Sequence, residues 1–127
     1  MPTAPLTVRP IHFTSRTAAW GALYATLGAR DLGGDDVWRV LALPGGGRVA
    51  LHHVEPGADD GTVEVGFETP DLDAYEAAHG AAIDAAGGRL ERVTAGHGVT
   101  LRLTLPDGSS VLIDAAAEAG PGVAAAN

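Results

Sequence analysis

Cysteine and lysine are both missing from this chain of 127 residues. Without cysteine there is no disulfide, no thiolate nucleophile and no thiolate metal site, a composition that suits the cytosol. Without lysine there is no Schiff-base chemistry. The basic residues are all arginine, scattered, and outnumbered 8 to 16 by acids, for a formal net charge of -8. Such a chain is a poor partner for nucleic acid, and it lacks the cationic patch that anionic lipid needs. Long apolar runs are missing too: none approaches the ~18 residues of a membrane span. "MPTAPLTVRP" has no basic segment followed by an apolar one, so no signal peptide is expected. These absences predict a cytoplasmic protein with neither a nucleic-acid nor a membrane partner.

What is present is ordinary for a globular domain, 46% hydrophobic and 19% charged, and long enough to bury a core. "LTVRPIHFT" (Leu6–Thr14) has strand character. In "AAWGALYATLG", Trp20, Leu23, Tyr24 and Leu27 fall on one helical stripe, with Gly28 as the stop. "ARDL" suggests a short strand. "VWRVLAL" (Val37–Leu43) and "RVALHHV" (Arg48–Val54) read as strands around a Gly-rich turn, and "TVEVGFET" (Thr62–Thr69) as another. A second helix follows in "TPDLDAYEAAHGAAIDAAGG": Thr69 or Asp71 can cap it, Pro70 suits its first turn, and Gly87 and Gly88 end it. "RLERVT", "VTLRLTL" and "SVLID" supply three more strands.

The order strand, helix, three strands occurs twice, and residues repeat with it. "LPGGGRVALH" (Leu43–His52) aligns without gaps on "LPDGSSVLID" (Leu105–Asp114), as L-P-x-G-x-x-V-x-[LI]-x. "WRVLA" matches "TLRLT", and "IHFT" sits where "VGFE" sits. The expected fold class is α+β, two βαβββ modules (about 7–55 and 62–115) in a single domain over 1–115, with a flexible tail over 116–127.

Two βαβββ modules, with a last hairpin carrying "PDG" before an alternating strand, resemble the vicinal oxygen chelate superfamily. That group includes glyoxalase I, extradiol dioxygenases and bleomycin-resistance-type binding proteins. The resemblance spans roughly Val8 to Ala115 and is strongest in "VEVGFETPDLDAYEAA" and "GVTLRLTLPDGSSVLID". It implies curved mixed sheets with helices outside, a concave face that holds a small molecule, metal ligands on the first and last strand of each module where a metal is used, and a homodimer.

The repeat assigns faces. Leu41, Leu43, Val49 and Leu51 match Leu103, Leu105, Val111 and Ile113; apolar in both modules, they mark the side under the helices. Trp38, Val40, Ala42, Ala50 and His52, matched by Thr100, Arg102, Thr104, Leu112 and Asp114, then face the cavity. Neighbours on a strand point oppositely, so His53 points away from it. Reading Ile11 and Phe13 as core turns His12 to the cavity; reading Val65 and Phe67 as core turns Glu64 and Glu68 there.

The expected ligand contacts are therefore His12, Trp38, His52, Glu68, Arg102 and Asp114, with Trp38 as a flat wall for stacking and Arg102 meeting an anionic or carbonyl group. The alternative is a divalent metal (Zn, Ni, Fe or Mn) held by His12, His52, Glu64 and Asp114, as in a metal-dependent lyase, isomerase or dioxygenase. The resemblance places the closing-strand ligand four residues after the Gly of "PDG". That slot holds Leu112, its module-one counterpart holds Ala50, and neither side chain can coordinate; Glu64 alone fits a ligand slot. The structural alternative pairs Leu105 with Val111, setting Arg102 opposite Asp114 as an ion pair and His52 opposite Val40. The leading expectation is an organic-binding protein without a metal cofactor; a third class has the sheet face filled by a partner chain or the protein's own loops. "LPGGGR" joins two strands, so it reads as a turn and not a phosphate loop. His79 reads as a packed or edge histidine, His97 as a loop residue, Ser109 and Ser110 as turn residues, and "ADDG" (Ala58–Gly61) as a solvated linker.

Overall fold

The computed structural model describes residues 5–95 and 98–116; the loop histidine His97 and the tail beyond Ala116 lie outside them. Ten strands and two helices follow in the order β1 (Thr7–Val8), β2 (Ile11–Thr14), α1 (Thr17–Thr26), β3 (Arg30–Gly34), β4 (Trp38–Ala42), β5 (Arg48–His53), β6 (Val63–Glu64), β7 (Gly66–Thr69), α2 (Leu72–Ala85), β8 (Arg89–Ala95), β9 (Gly98–Thr104) and β10 (Ser110–Ala115). They form two compact units. One takes the chain up to Val8 together with Val65–Ala116; the other is Arg9–Glu64.

Both units have the same topology. The sheet of the Arg9–Glu64 unit runs β3-β4-β5-β2-β6, and the sheet of the other runs β8-β9-β10-β7-β1. In each, the first and last strands of a βαβββ module lie parallel, and a two-residue strand pairs antiparallel with the first. That short strand comes from the other module's lead-in. "TVEVGFET" is accordingly not one strand: it breaks at Val65, leaving β6 in one sheet and β7 in the other.

The repeated turns explain why the hairpins match. Leu43 N–H donates to Gly47 O at 2.7 Å and Leu105 N–H to Ser109 O at 2.9 Å, while Gly46 and Gly108 take φ of +105° and +89°. Only glycine adopts that conformation cheaply. This turn sets the register at Trp38↔His52 and Val40↔Ala50, and likewise Thr100↔Asp114 and Arg102↔Leu112. The sequence-based pairings of Leu105 with Val111, His52 with Val40 and Arg102 with Asp114 are therefore displaced by two residues.

Each helix packs on one side of its own sheet. Under α1, Trp20 and Tyr24 cover Leu41, Val49 and Leu51; under α2, Tyr75, Leu72 and Ile83 pack with Leu101, Ile113 and Phe67. Burying a Leu or Ile side chain contributes roughly 1.5–3 kcal/mol. Helix α1 stops at Gly28, with φ of +93°; a Cβ there would come within 2.7 Å of Pro44 Cγ. Asp71, not Thr69, caps α2 by accepting from Ala74 N–H at 3.1 Å, which leaves Pro70 just outside the helix.

The β2 alignment is shifted by one residue from the expected one. Against its parallel partner β5, Phe13 lies beside His52; against β10, Glu68 lies beside Asp114. Since His52 and Asp114 are repeat equivalents, "IHFT" matches "GFET", not "VGFE". A one-residue slip sends every side chain of a strand to the other face, and His12 is the residue it moves.

Candidate functional site

In the Arg9–Glu64 unit, the side of the sheet away from α1 is apolar and aromatic. Ile11, Leu32, Val40 and Ala50 are its buried floor, with Phe13, Trp38 and Ala42 packed against them. A row of rings crosses it from β2 through β5 to β4. Phe13 and His52 have ring centres 5.1 Å apart, and His52 and Trp38 5.8 Å apart in an edge-to-face arrangement. The Arg9 guanidinium carbon sits 4.8 Å from the Trp38 ring centre, a cation–π geometry. His52 Nδ1 lies 2.9 Å from the His53 carbonyl oxygen. Trp38 and His52 thus occupy the face the repeat assigned to them. His53 lies on the opposite side at the strand end, its Nε2 3.0 Å from Glu55.

His12 does not join this row. It is 5% exposed and lies on the α1 side, its ring centre 4.3 Å from that of Trp20 and its Nδ1 3.2 Å from the Tyr24 hydroxyl. Desolvation holds its pKa below the ordinary histidine value and holds that of Tyr24 above the ordinary tyrosine value. The expectation that His12 faces the cavity is corrected: Ile11 and Phe13, taken as core under the helix, are the residues that face away from it.

The helix-free side of the sheet in the Val65–Ala116 unit is polar where the other is aromatic. Glu68 and Asp114 are neighbours in parallel register, 2% and 4% exposed, and Asp114 is flanked on its other side by Thr100. Arg102 lies opposite Leu112, and its ion pair is with Glu91 at 3.9 Å, which Arg89 also approaches at 3.6 Å. The expected Arg102–Asp114 pair is replaced because the turn shifts the hairpin register by two. On α2, the His79 ring centre lies 4.6 Å from that of Tyr75, the packed role expected of it.

The four-residue metal set does not fit. His12 and His52 lie on opposite faces of one sheet, and Glu64, in β6 opposite Ile11, is exposed. Among the described residues, no group of three or more His, Asp or Glu side chains is placed to hold a metal. No helix among them is long and apolar enough to cross a membrane.

Sequence reasoning missed two members of the aromatic face. Phe13 was misplaced by the one-residue slip. Arg9 carried no usable signal, since an arginine before a proline reads as an exposed strand end, whereas here it is 1% exposed.

No family model matches the sequence, and no curated protein matches it either. Solved structures do. An NAD-dependent benzaldehyde dehydrogenase from Legionella pneumophila aligns with a TM-score of 0.57 at 15% identity, over 84% of this chain and 96% of that one. An extradiol ring-cleaving dioxygenase from B. fuscum aligns at 0.55 and 16% identity, over 97% of this chain. The 2,3-dioxygenase LapB from Pseudomonas sp. KL28 aligns at 0.51 and 19% identity, over 89% of this chain. The chain spans 37% and 40% of the two dioxygenases' lengths. At these identities the likeness concerns architecture. The fold is that of the vicinal oxygen chelate superfamily, in an α+β chain of two βαβββ modules.

Proposed function

We propose that this is a cytosolic glyoxalase/bleomycin-resistance-like protein that holds a small organic molecule with a flat aromatic part on the helix-free side of its module-one sheet. Side chains, without a metal, make the contacts. The observation that carries this reading is the row Phe13–His52–Trp38 above the floor of Ile11, Val40 and Ala50. Phe13, His52 and Trp38, with rings 5.1 and 5.8 Å apart, are only half-buried and leave ring surface for a ligand ring to pack on, beside the Arg9 guanidinium over Trp38. Each such contact is worth ~0.5–1.5 kcal/mol beyond the area it buries. Val40 and Ala50, 2% and 0% exposed, back the row from beneath and bring no competing polar group to it.

The test uses Trp38 as its own reporter. The chain has two tryptophans, so Trp20→Phe leaves Trp38 as the sole indole. Flat aromatics are titrated in, 3,4-dihydroxyphenylacetate among them because the homoprotocatechuate 2,3-dioxygenase of Brevibacterium fuscum is known in complex with it. Saturable quenching at micromolar to millimolar ligand is expected, weakened by Phe13→Ala. If no aromatic gives saturable quenching, or if Phe13→Ala leaves the affinity unchanged, the site is elsewhere.

A further inference from the structure

We infer that His52 makes this face selective for aromatic molecules that carry a neutral hydrogen-bond donor, a phenolic O–H or a ring N–H. The inference rests on the ligand-binding reading above and names the ligand class for that site. His52 Nδ1 lies 2.9 Å from the His53 carbonyl oxygen. A carbonyl oxygen only accepts, so Nδ1 carries the proton, and in the neutral imidazole Nε2 is then the lone-pair acceptor. Nε2 makes no hydrogen bond within the described residues and is not among the buried atoms left without a partner. It is an open acceptor, fixed in direction because the ring is held between Phe13 and Trp38.

The surroundings sharpen the choice. Along the row, Phe13 and Trp38 flank His52 with ring surface, and the floor beneath is aliphatic. A ligand lying against this row meets His52 Nε2 as a directed acceptor, with the Arg9 guanidinium further along, over Trp38. A phenol or an indole satisfies it. An aromatic ether offers nothing to it, and an aromatic carboxylate would bring a second acceptor against it. A single neutral hydrogen bond is worth about five- to tenfold in affinity. Rejection of the non-donor is the larger part of that selectivity, because a polar group covered without a partner loses its water.

The experiment uses matched pairs on the full chain: phenol against anisole, and indole against N-methylindole, measured by calorimetry with wild type and His52→Phe. The first pair reads the O–H and the second the N–H source of the donor. Wild type is expected to prefer the donor of at least one pair by about five- to tenfold. His52→Phe keeps a flat ring in the row, so anisole binding should persist while the preference falls to about one. Equal binding of donors and methylated partners by wild type would overturn the inference yet leave the aromatic site intact. A preference that survives in His52→Phe would also overturn it. Failure of all four probes would instead remove the binding reading, and the inference with it. Nitrogen-15 NMR gives an independent readout: His52 should show the Nδ1–H tautomer, and an Nε2–H tautomer would refute the assignment.

Discussion

The imidazole of His12 and the hydroxyl of Tyr24 meet 3.2 Å apart beneath α1, and His12 is 5% exposed. Around His12 stand the rings of Trp20 and Tyr24 from α1 and, as its neighbours in strand register, the aliphatic residues Leu51 of β5 and Val63 of β6. None brings a carboxylate. The titratable group among them, Tyr24, is held neutral by burial.

A pH dependence of stability follows. Desolvation lowers the His12 pKa in the folded state relative to 6.5. The neutral form is therefore favoured by folding. Its stabilisation is complete above the unfolded value and is lost as pH falls through the window between 6.5 and the lower folded value. Urea midpoints for wild type and His12→Gln should converge as pH drops from about 7.5 to 5. A wild-type-minus-variant difference that stays constant, or grows in acid, would show that His12 is not held neutral.

Leu51 and Ile113 are repeat equivalents, 1% and 0% exposed, each under its own helix. Truncating either to Ala removes the transfer energy and leaves a cavity, at a cost of about 2–5 kcal/mol. Both variants should lower the urea midpoint strongly. A loss below ~1 kcal/mol at either site would mean that the helix there does not cap a close-packed core.

The parts of the fold that were legible in the sequence are those where a pattern constrained both modules at once. The L-P-x-G-x-x-V-x-[LI]-x repeat fixed which faces of β4, β5, β9 and β10 look toward the helices, and His52 and Trp38 came out on the correct side. Strand β2 resisted because both of its faces are buried: Ile11 is 3% and His12 5% exposed, so no polar–apolar alternation marks its phase. Phe13 and Phe67 invited alignment with each other, yet Phe13 matches Glu68. The hairpin register was illegible for another reason. It depends on which residues close the turn, and a Leu-Pro-x-Gly sequence admits closure at Ser109 as readily as at Val111. Arg9 was hidden because burial of a cation is a tertiary event.

The oligomeric state remains a proposal from the superfamily resemblance, which implies a homodimer. Strand β8, Arg89–Ala95, has one side without a strand partner among the described residues. An open seven-residue edge invites cover. Light scattering at micromolar concentration should return twice the chain mass, and a monomer would remove this proposal.

The last prediction concerns metal. A four-coordinate site needs its donor atoms within ~2.0–2.3 Å of one point. His12 fails this with His52, because one ring packs under α1 with Trp20 and Tyr24 while the other lies between Phe13 and Trp38 across the sheet. Bringing both imidazoles to one ion would require β2 to slip by one residue. That slip would expose Phe13 to the helix side and break the parallel pairing with β5. The closing-strand positions offer no substitute, since Ala50 is 0% exposed and, like Leu112, has no donor atom. Protein purified without chelators and analysed by mass spectrometry for Zn, Ni, Fe and Mn should hold well under one equivalent. Adding these ions should not raise its melting temperature. Stoichiometric metal that disappears in His52→Ala would mean that His52 Nε2 serves an ion and not an organic donor, and the selectivity inferred for the aromatic face would fall with it.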